Sequence, residues 1–183
     1  MIYDREHSTF AEQGHVVMDD VSIKAGDYVI LTGITLAINE TIREQIVDIL
    51  KKLKAQGAHI VFDINFRSNL WSKDVAVPVI KSILPLVDVL FFGKKDATHL
   101  LETNVESDDM KACAETIQRQ YGIPLMASSN RDIEQSTLQG VVLSEKGYLE
   151  GESYQYTVLN RIGAGDAFMA GVLHGLINQL GVK

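Results

Sequence analysis

Apolar positions fall into two recurring patterns along this chain. Short, nearly continuous runs at 28–34, 59–64 and 87–92 suit strands covered on both faces, as in a parallel sheet. Between them, apolar residues return at intervals of three and four. Ile42, Ile46, Ile49, Leu50 and Leu53 mark a long helix that Asn39 can cap and Gly57 can follow. The same period predicts helices over 75–84, over 107–121 with Met110, Cys113, Ala114 and Ile117 inward, and over 164–180 with Gly181 at its end. Further short strands are expected at 124–127 and 141–144, with the polar stretch 128–140 between them a loop or hairpin. The opening residues suggest an edge strand or extended arm. Strands alternating with helices at this spacing predict βαβ units, and so a three-layer α/β/α fold around a mainly parallel sheet. No repeat, low-complexity tract or Pro/Gly-rich linker divides the chain, so a single domain over 1–183 is expected.

Composition narrows the function classes. The chain has 183 residues, 46% of them hydrophobic, enough for a core without staples. Its 24 acids against 17 bases give a net charge of -7, which argues against a nucleic-acid or membrane-surface partner, since both need clustered Lys and Arg. Cys113 is the one cysteine, so an intramolecular disulfide and a cysteine zinc cluster are both excluded. The N-terminus lacks a charged-then-apolar signal pattern, and no apolar run approaches the roughly 20 residues of a membrane span. A cytoplasmic location is the expectation.

Two stretches carry candidate chemistry. In Asn160-Arg161-Ile162-Gly163-Ala164-Gly165-Asp166-Ala167-Phe168, small residues directly before a helix let the backbone approach a ligand, with the N–H groups of Gly163, Ala164, Gly165 and Asp166 free to meet an anion. Asp166 adds a carboxylate placed to accept a proton. The simpler alternative is a tight turn with Asp166 as helix cap. A dinucleotide fingerprint fits poorly, because its third glycine would fall on Phe168. The second stretch is Asp63-Ile64-Asn65-Phe66-Arg67, followed by Leu70-Trp71. Alternation puts Asp63, Asn65 and Arg67 on one face at the carboxyl end of a strand, where open parallel sheets bind ligands. An arginine there suits bidentate capture of a carboxylate or phosphate; the alternative is a surface-charged loop over a core Trp71.

Taken together, the glycine turn through Gly171, the Asp63 to Arg67 segment, the Leu31-Thr32-Gly33-Ile34-Thr35 strand end and the opening Tyr3-Asp4-Arg5 resemble the ribokinase-like (PfkB) carbohydrate kinases, most closely their 2-keto-3-deoxygluconate kinase branch. The resemblance covers nearly the whole chain in order. It implies a ribokinase-like fold and phosphoryl transfer from ATP to the primary hydroxyl of a sugar acid. It implies Asp166 as catalytic base and Gly163, Ala164 and Gly165 as an anion hole for the ATP phosphates. Tyr3, Arg5, Ile34 and Arg67 would contact the sugar acid, and Asn65, Phe66 and Arg67 would reach the nucleotide. Mg2+ would accompany ATP, held largely through phosphate and water; no protein metal ligand is assigned.

Departures from the family pattern are expected to matter. Asn160 stands where an Asp is usual, and Gly93-Lys94-Lys95-Asp96 stands where the family has Asn-x-x-Glu. Ala127-Ser128-Ser129-Asn130-Arg131 only echoes the family's nucleotide-side strand end. The resemblance also implies further chain before Tyr3, with a β-lid, and a helical segment after Leu180. The expectation is therefore a partial domain that self-associates through exposed sheet edges. Two other readings stay open: a kinase for a neutral sugar or nucleoside, and a non-catalytic remnant or subunit that binds a sugar acid or nucleotide. Asp19-Asp20 and Asp108-Asp109 are expected to be turn or helix-start acids, Cys113 a buried apolar group, and Phe91-Phe92 strand core.

Overall fold

The computed structural model describes residues 8–17, 22–101, 109–159 and 162–180. Six strands form one sheet whose spatial order follows the chain: β1 Tyr28–Thr32, β2 His59–Asp63, β3 Val89–Phe91, β4 Leu125–Asp132, β5 Thr137–Ser144 and β6 Gly147–Gln155. The first four run parallel, and β5 and β6 continue antiparallel. The helices are α1 Thr9–Val17, α2 Gly33–Ile38, α3 Glu40–Ala55, α4 Lys73–Ile83, α5 Met110–Tyr121 and α6 Ala164–Ile177, and residues Asp96–Leu100 form a π-helical turn.

Side-chain alternation on the strands divides the core into two. Ile60, Phe62, Leu90 and Met126 point to one face and pack with Ile46 and Leu50 of α3, Ile80 of α4 and Ile117 of α5. Val61, Val89, Phe91 and Ala127 point to the other and pack with Phe168, Met169, Val172 and Leu173 of α6. The outcome is the expected three-layer fold, with the crossover helices on one side of the sheet and α6 on the other. Apolar residues surround α6, yet among its described residues only Leu173 is buried, and Ile177 and Leu180 are 59% and 58% exposed.

Buried polar groups fix the ends of the elements. Asn39, 1% exposed, accepts from the Ile42 N–H at 2.9 Å and so caps α3, while its Nδ2 donates to the Phe10 and Ala11 carbonyls at 3.0 and 3.2 Å and ties α1 to the same corner. At the opposite end of the sheet, Asp88 accepts from Lys54 Nζ at 2.7 and 2.8 Å and from the Ile60 N–H at 2.8 Å, which binds α3 to the start of β2. Gly57, just after α3, has φ +88. Asp109 caps α5, accepting from the Ala112 N–H at 2.9 Å, and Cys113, Phe91 and Phe92 are buried, as expected.

Several boundaries differ from the hydrophobic pattern. The run from Tyr28 stays a strand only to Thr32, because the Thr32 side chain accepts from the Thr35 N–H at 3.3 Å and starts α2 at Gly33. Residues 9–17 are helical rather than extended, and α6 ends at Ile177. The polar stretch 128–140 is a hairpin, with β4 running on to Asp132 and β5 starting at Thr137. The unexpected strand β6 is mostly exposed, so it lacks the apolar alternation that would have announced it. Tyr3, Arg5, Asp19, Asp20, Asp108, Asn160 and Gly181 lie outside the described residues.

The tightest backbone approach is at Gly33, where an added Cβ would overlap the Ile64 carbonyl oxygen. No flexible side chain can yield there. Gly33→Ala is therefore expected to destabilise the fold by about 1–3 kcal/mol, the usual cost of forcing extra volume into a packed position, and a lowered midpoint in urea unfolding would show it.

Candidate active site

The parallel strands end side by side, and a cavity of about 700 Å³ opens at their carboxyl ends. Asp63, Asn65 and Arg67 enter it from the exit of β2, Ile34 from the second residue of α2, and Gly93 and Asp96 from beyond β3. Ser128 and Ser129 come from β4, and Gly163, Gly165 and Asp166 from the start of α6. Residues more than a hundred positions apart in sequence thus share one hollow.

The exit of β2 is built by local backbone geometry. The Ile64 N–H donates to the Phe91 carbonyl at 3.1 Å, which holds the chain beside β3 for one residue beyond the strand. Asn65 then takes φ +33, a conformation rare for a residue with a side chain but better tolerated by Asn than by most. Asp63, Asn65 and Arg67 all reach the cavity, but Phe66 does not: its ring centroid lies 6.4 Å from that of Trp71, and it lines a separate cleft.

At the start of α6, Gly163 occupies the cap position with φ +75, and no side chain caps the helix. Asp166 is therefore not the cap; it sits in the first turn. The N–H groups of Ala164, Gly165 and Asp166 precede the first possible helical acceptor, and nothing lies within 4 Å of where a Cβ would sit at Gly163 or Gly165. Donors, an open approach and the positive end of the helix dipole coincide at this turn, an arrangement chemically able to receive an anion.

Charge in the cavity is mainly acidic. Burial, first, and the neighbouring Asp96 push the Asp63 carboxyl up to about 6; the Asp166 charge adds to this, and the Asn65 N–H and Arg67 oppose it. Burial also raises Asp96, against its bond from the Gly93 N–H at 2.8 Å and the pull of Arg67. Ser128 is 2% exposed, and its Oγ has no hydrogen-bond partner, which leaves a buried polar atom facing the cavity.

Of the residues singled out in the sequence, Asp166, Gly163, Gly165, Asn65, Arg67 and Ile34 line this one cavity, with Ala164 between the two glycines as the first residue of α6. No role was assigned to Asp96, which stands as a shortened Glu in the family pattern, or to Ser128, which belongs to the loose echo of the family's nucleotide-side strand end. A run of small polar residues directly after two apolar ones, Met126 and Ala127, was the available signal for Ser128.

Comparison with known proteins gives a consistent picture. The family described as pfkB family carbohydrate kinase matches residues 1–183. A 2-dehydro-3-deoxygalactonokinase of Haloferax volcanii is 29% identical over 179 residues, covering 97% of this chain and 53% of its own. A 2-dehydro-3-deoxygluconokinase of Dickeya dadantii is 29% identical over 158 residues, covering 83% and 48%. Among solved structures, a PfkB family carbohydrate kinase from Listeria grayi superposes with a TM-score of 0.80 at 30% identity, over 97% of this chain and 57% of its own. The chain spans about half the length of the curated relatives it matches.

A carboxyl whose folded pKa is raised weakens the fold where it must ionise, so the penalty from Asp63 is absent below about pH 4 and grows as pH rises through about 6. Asp63→Asn removes it. The variant is expected to gain on the order of 2–3 kcal/mol at pH 7.5 and nothing at pH 4, which thermal melts at the two pH values would compare.

Proposed function

This chain belongs to the pfkB family of carbohydrate kinases, and from that premise we propose that it serves phosphoryl transfer from ATP to the primary hydroxyl of a sugar acid of the 2-keto-3-deoxygluconate class. The observation that carries this reading is the meeting of the α6 glycine turn and Asp166 with Asp63, Asn65 and Arg67 in one cavity. The names of the two relatives, 2-dehydro-3-deoxygalactonokinase and 2-dehydro-3-deoxygluconokinase, support the substrate class.

ATP supplies the phosphoryl group. Asp166 accepts the proton of the attacking hydroxyl, and the N–H groups of the Gly163 to Gly165 turn meet the charge on the transferring group. Arg67 pairs with the substrate carboxylate and Ile34 packs against its carbon chain; Tyr3 and Arg5, outside the described residues, are assigned to the sugar acid by the family resemblance alone. Asn65 and Arg67 bear on the nucleotide phosphates; Phe66, facing another cleft, is left out of this role.

Among the described residues, no three His, Cys, Asp or Glu side chains are grouped to hold a metal ion. Asp63 and Asp96 nevertheless fit the usual magnesium arrangement, in which one or two carboxylates supplement phosphate and water. Magnesium bound there would neutralise phosphate charge. No helix among the described residues is long and apolar enough to cross a membrane. The exposed apolar side of α6 and the half-exposed Ile30 on the outermost strand β1 favour self-association.

The test is a coupled ATP-consumption assay with 2-keto-3-deoxygluconate beside ribose and fructose, with magnesium present. Turnover with the acid alone is expected; equal turnover with the neutral sugars would overturn the substrate class. Asp166→Asn should lower kcat by about 10²–10⁴ while nucleotide affinity, read by titration calorimetry, stays within about twofold. Retained turnover would remove Asp166 from its role.

Arg67→Ala should raise KM for the sugar acid by about tenfold or more and leave that for a neutral sugar nearly unchanged, because only the acid loses a charged hydrogen-bond partner. Equal losses in steady-state kinetics would argue against carboxylate recognition.

A further inference from the structure

Asp166 and the glycine turn can serve a reaction only as far as α6 is held in place, and the first turn of that helix is weakly held. No side chain caps it at Gly163, and residues 163–167 are exposed. Phe168 is the first residue of α6 that packs against the sheet, and it lines the same cavity as Asp166. Two places separate them, about 3 Å along the helix axis. The Ala167 N–H donates to the Gly163 carbonyl at 2.8 Å, so the turn and the residue that anchors it belong to one hydrogen-bonded unit.

The Phe168 ring touches two strands that are not neighbours. On β3 it meets the Phe91 ring edge to face, with centroids 6.1 Å apart and planes at 89°. On β5 it lies over Gly140, where an added Cβ would come to 3.2 Å from Cε2, so that a side chain there would have to push the ring aside by a few tenths of an ångström. Gly140 does not adopt a positive φ; the ring, and not the backbone, calls for glycine at this place. It pairs with Ser129, a residue of the cavity wall, and stands where β5 shifts register against β6. Irregularities of this kind re-aim side chains and recur beside active sites.

We propose that Phe168 is a positioning residue of this site: held between Phe91 and the bare backbone of Gly140, it fixes how α6 lies over the strand ends and so where Asp166 and the N–H groups of the turn stand. Its effect on rate rests on the kinase reading, whereas the geometry does not. Groups that act on charge developing in a transition state lose about 100-fold in rate for a misplacement of 1 Å, so a few tenths should cost several-fold to tenfold.

The test is a set of four variants in the coupled assay, with urea unfolding to express each rate per folded molecule. Gly140→Ala should lower kcat about tenfold and leave KM for the sugar acid and for ATP within about twofold, because only transition-state contacts are disturbed. Phe168→Leu, which shortens the anchor, should lose a like amount. In the Gly140→Ala/Phe168→Leu double variant the new methyl has room, and kcat should exceed the product of the two single losses by about fivefold or more, as expected of side chains in contact. Gly151→Ala, on the adjoining strand, meets only the Gly140 carbonyl at 3.4 Å and should keep kcat. Full kcat in Gly140→Ala, a loss carried in KM, or single losses that simply multiply would overturn the proposal. If the unaltered chain turns over no sugar, the kinase reading fails instead, and amide chemical shifts decide the geometry. Those of Gly163, Gly165 and Asp166 should move in Gly140→Ala and stay in Gly151→Ala; unmoved shifts in Gly140→Ala would overturn it.

Discussion

Everything at the site depends on how closely β2 can pass the start of α2. The Ile64 carbonyl occupies the space a side chain would need at Gly33, so the two segments meet backbone to backbone. This contact sets Ile34 at the rim of the cavity from one side and sends the chain into the Asn65 turn from the other. A wider gap would move Asp63, Asn65 and Arg67 relative to α6. The strain at Asn65 persists because the Ile64 bond to Phe91 and the packed Gly33 leave the backbone little alternative.

The two hollows flanking this turn are electrostatic opposites. The larger cavity gathers Asp63, Asp96 and Asp166 against Arg67, a balance that repels a bare polyphosphate. Two features soften the conflict: burial keeps Asp63 and Asp96 harder to ionise, and the α6 turn offers dipoles that carry no competing negative charge. A phosphate arriving with a divalent cation would meet carboxylates as partners, whereas a bare one would meet them as like charges. The neighbouring cleft is lined by Lys73, Lys95 and His99 as well as by Asp96. Arg67 and Asp96 stand in both walls, so the charge state of one hollow is felt in the other.

Much of this could be seen in the sequence where burial imposes a period. The helix from Glu40 to Ala55 and the strands at His59 and Val89 were legible because their apolar residues face the core at regular intervals. The site turn was legible for another reason: only small residues let a backbone stay open at a helix start, and Gly163 and Gly165 flank Ala164 there. The hairpin at 128–140 was one of two readings of that stretch, but the outer halves of β4 and β5 and the whole of β6 were not legible, because largely exposed strand residues show no apolar alternation. Alternation from β2 put Asp63, Asn65 and Arg67 on one face, and all three line the cavity; the nucleotide role of Phe66 came from the family resemblance alone, and its ring lies toward Trp71 and a separate cleft. Asp96 was missed because a side chain's reach depends on its turn: the π-helical segment and the Gly93 bond bring a shorter carboxylate to the cavity.

The worth of the α6 turn depends on what lies above it. Gly163 through Ala167 are exposed, and so is the outward side of the helix they begin. Hydrogen-bond donors stabilise developing charge strongly only where water is excluded; in high dielectric the same groups are worth a small part of that. Meeting a phosphate at the turn would need only open donors, and the N–H groups of Ala164, Gly165 and Asp166 precede the first helical acceptor. Transferring one at speed needs cover as well. The apolar residues around α6, which find little burial on the sheet side, mark the surface such cover would seat on, and a contact there would desolvate the glycine turn and Asp166 in the same step.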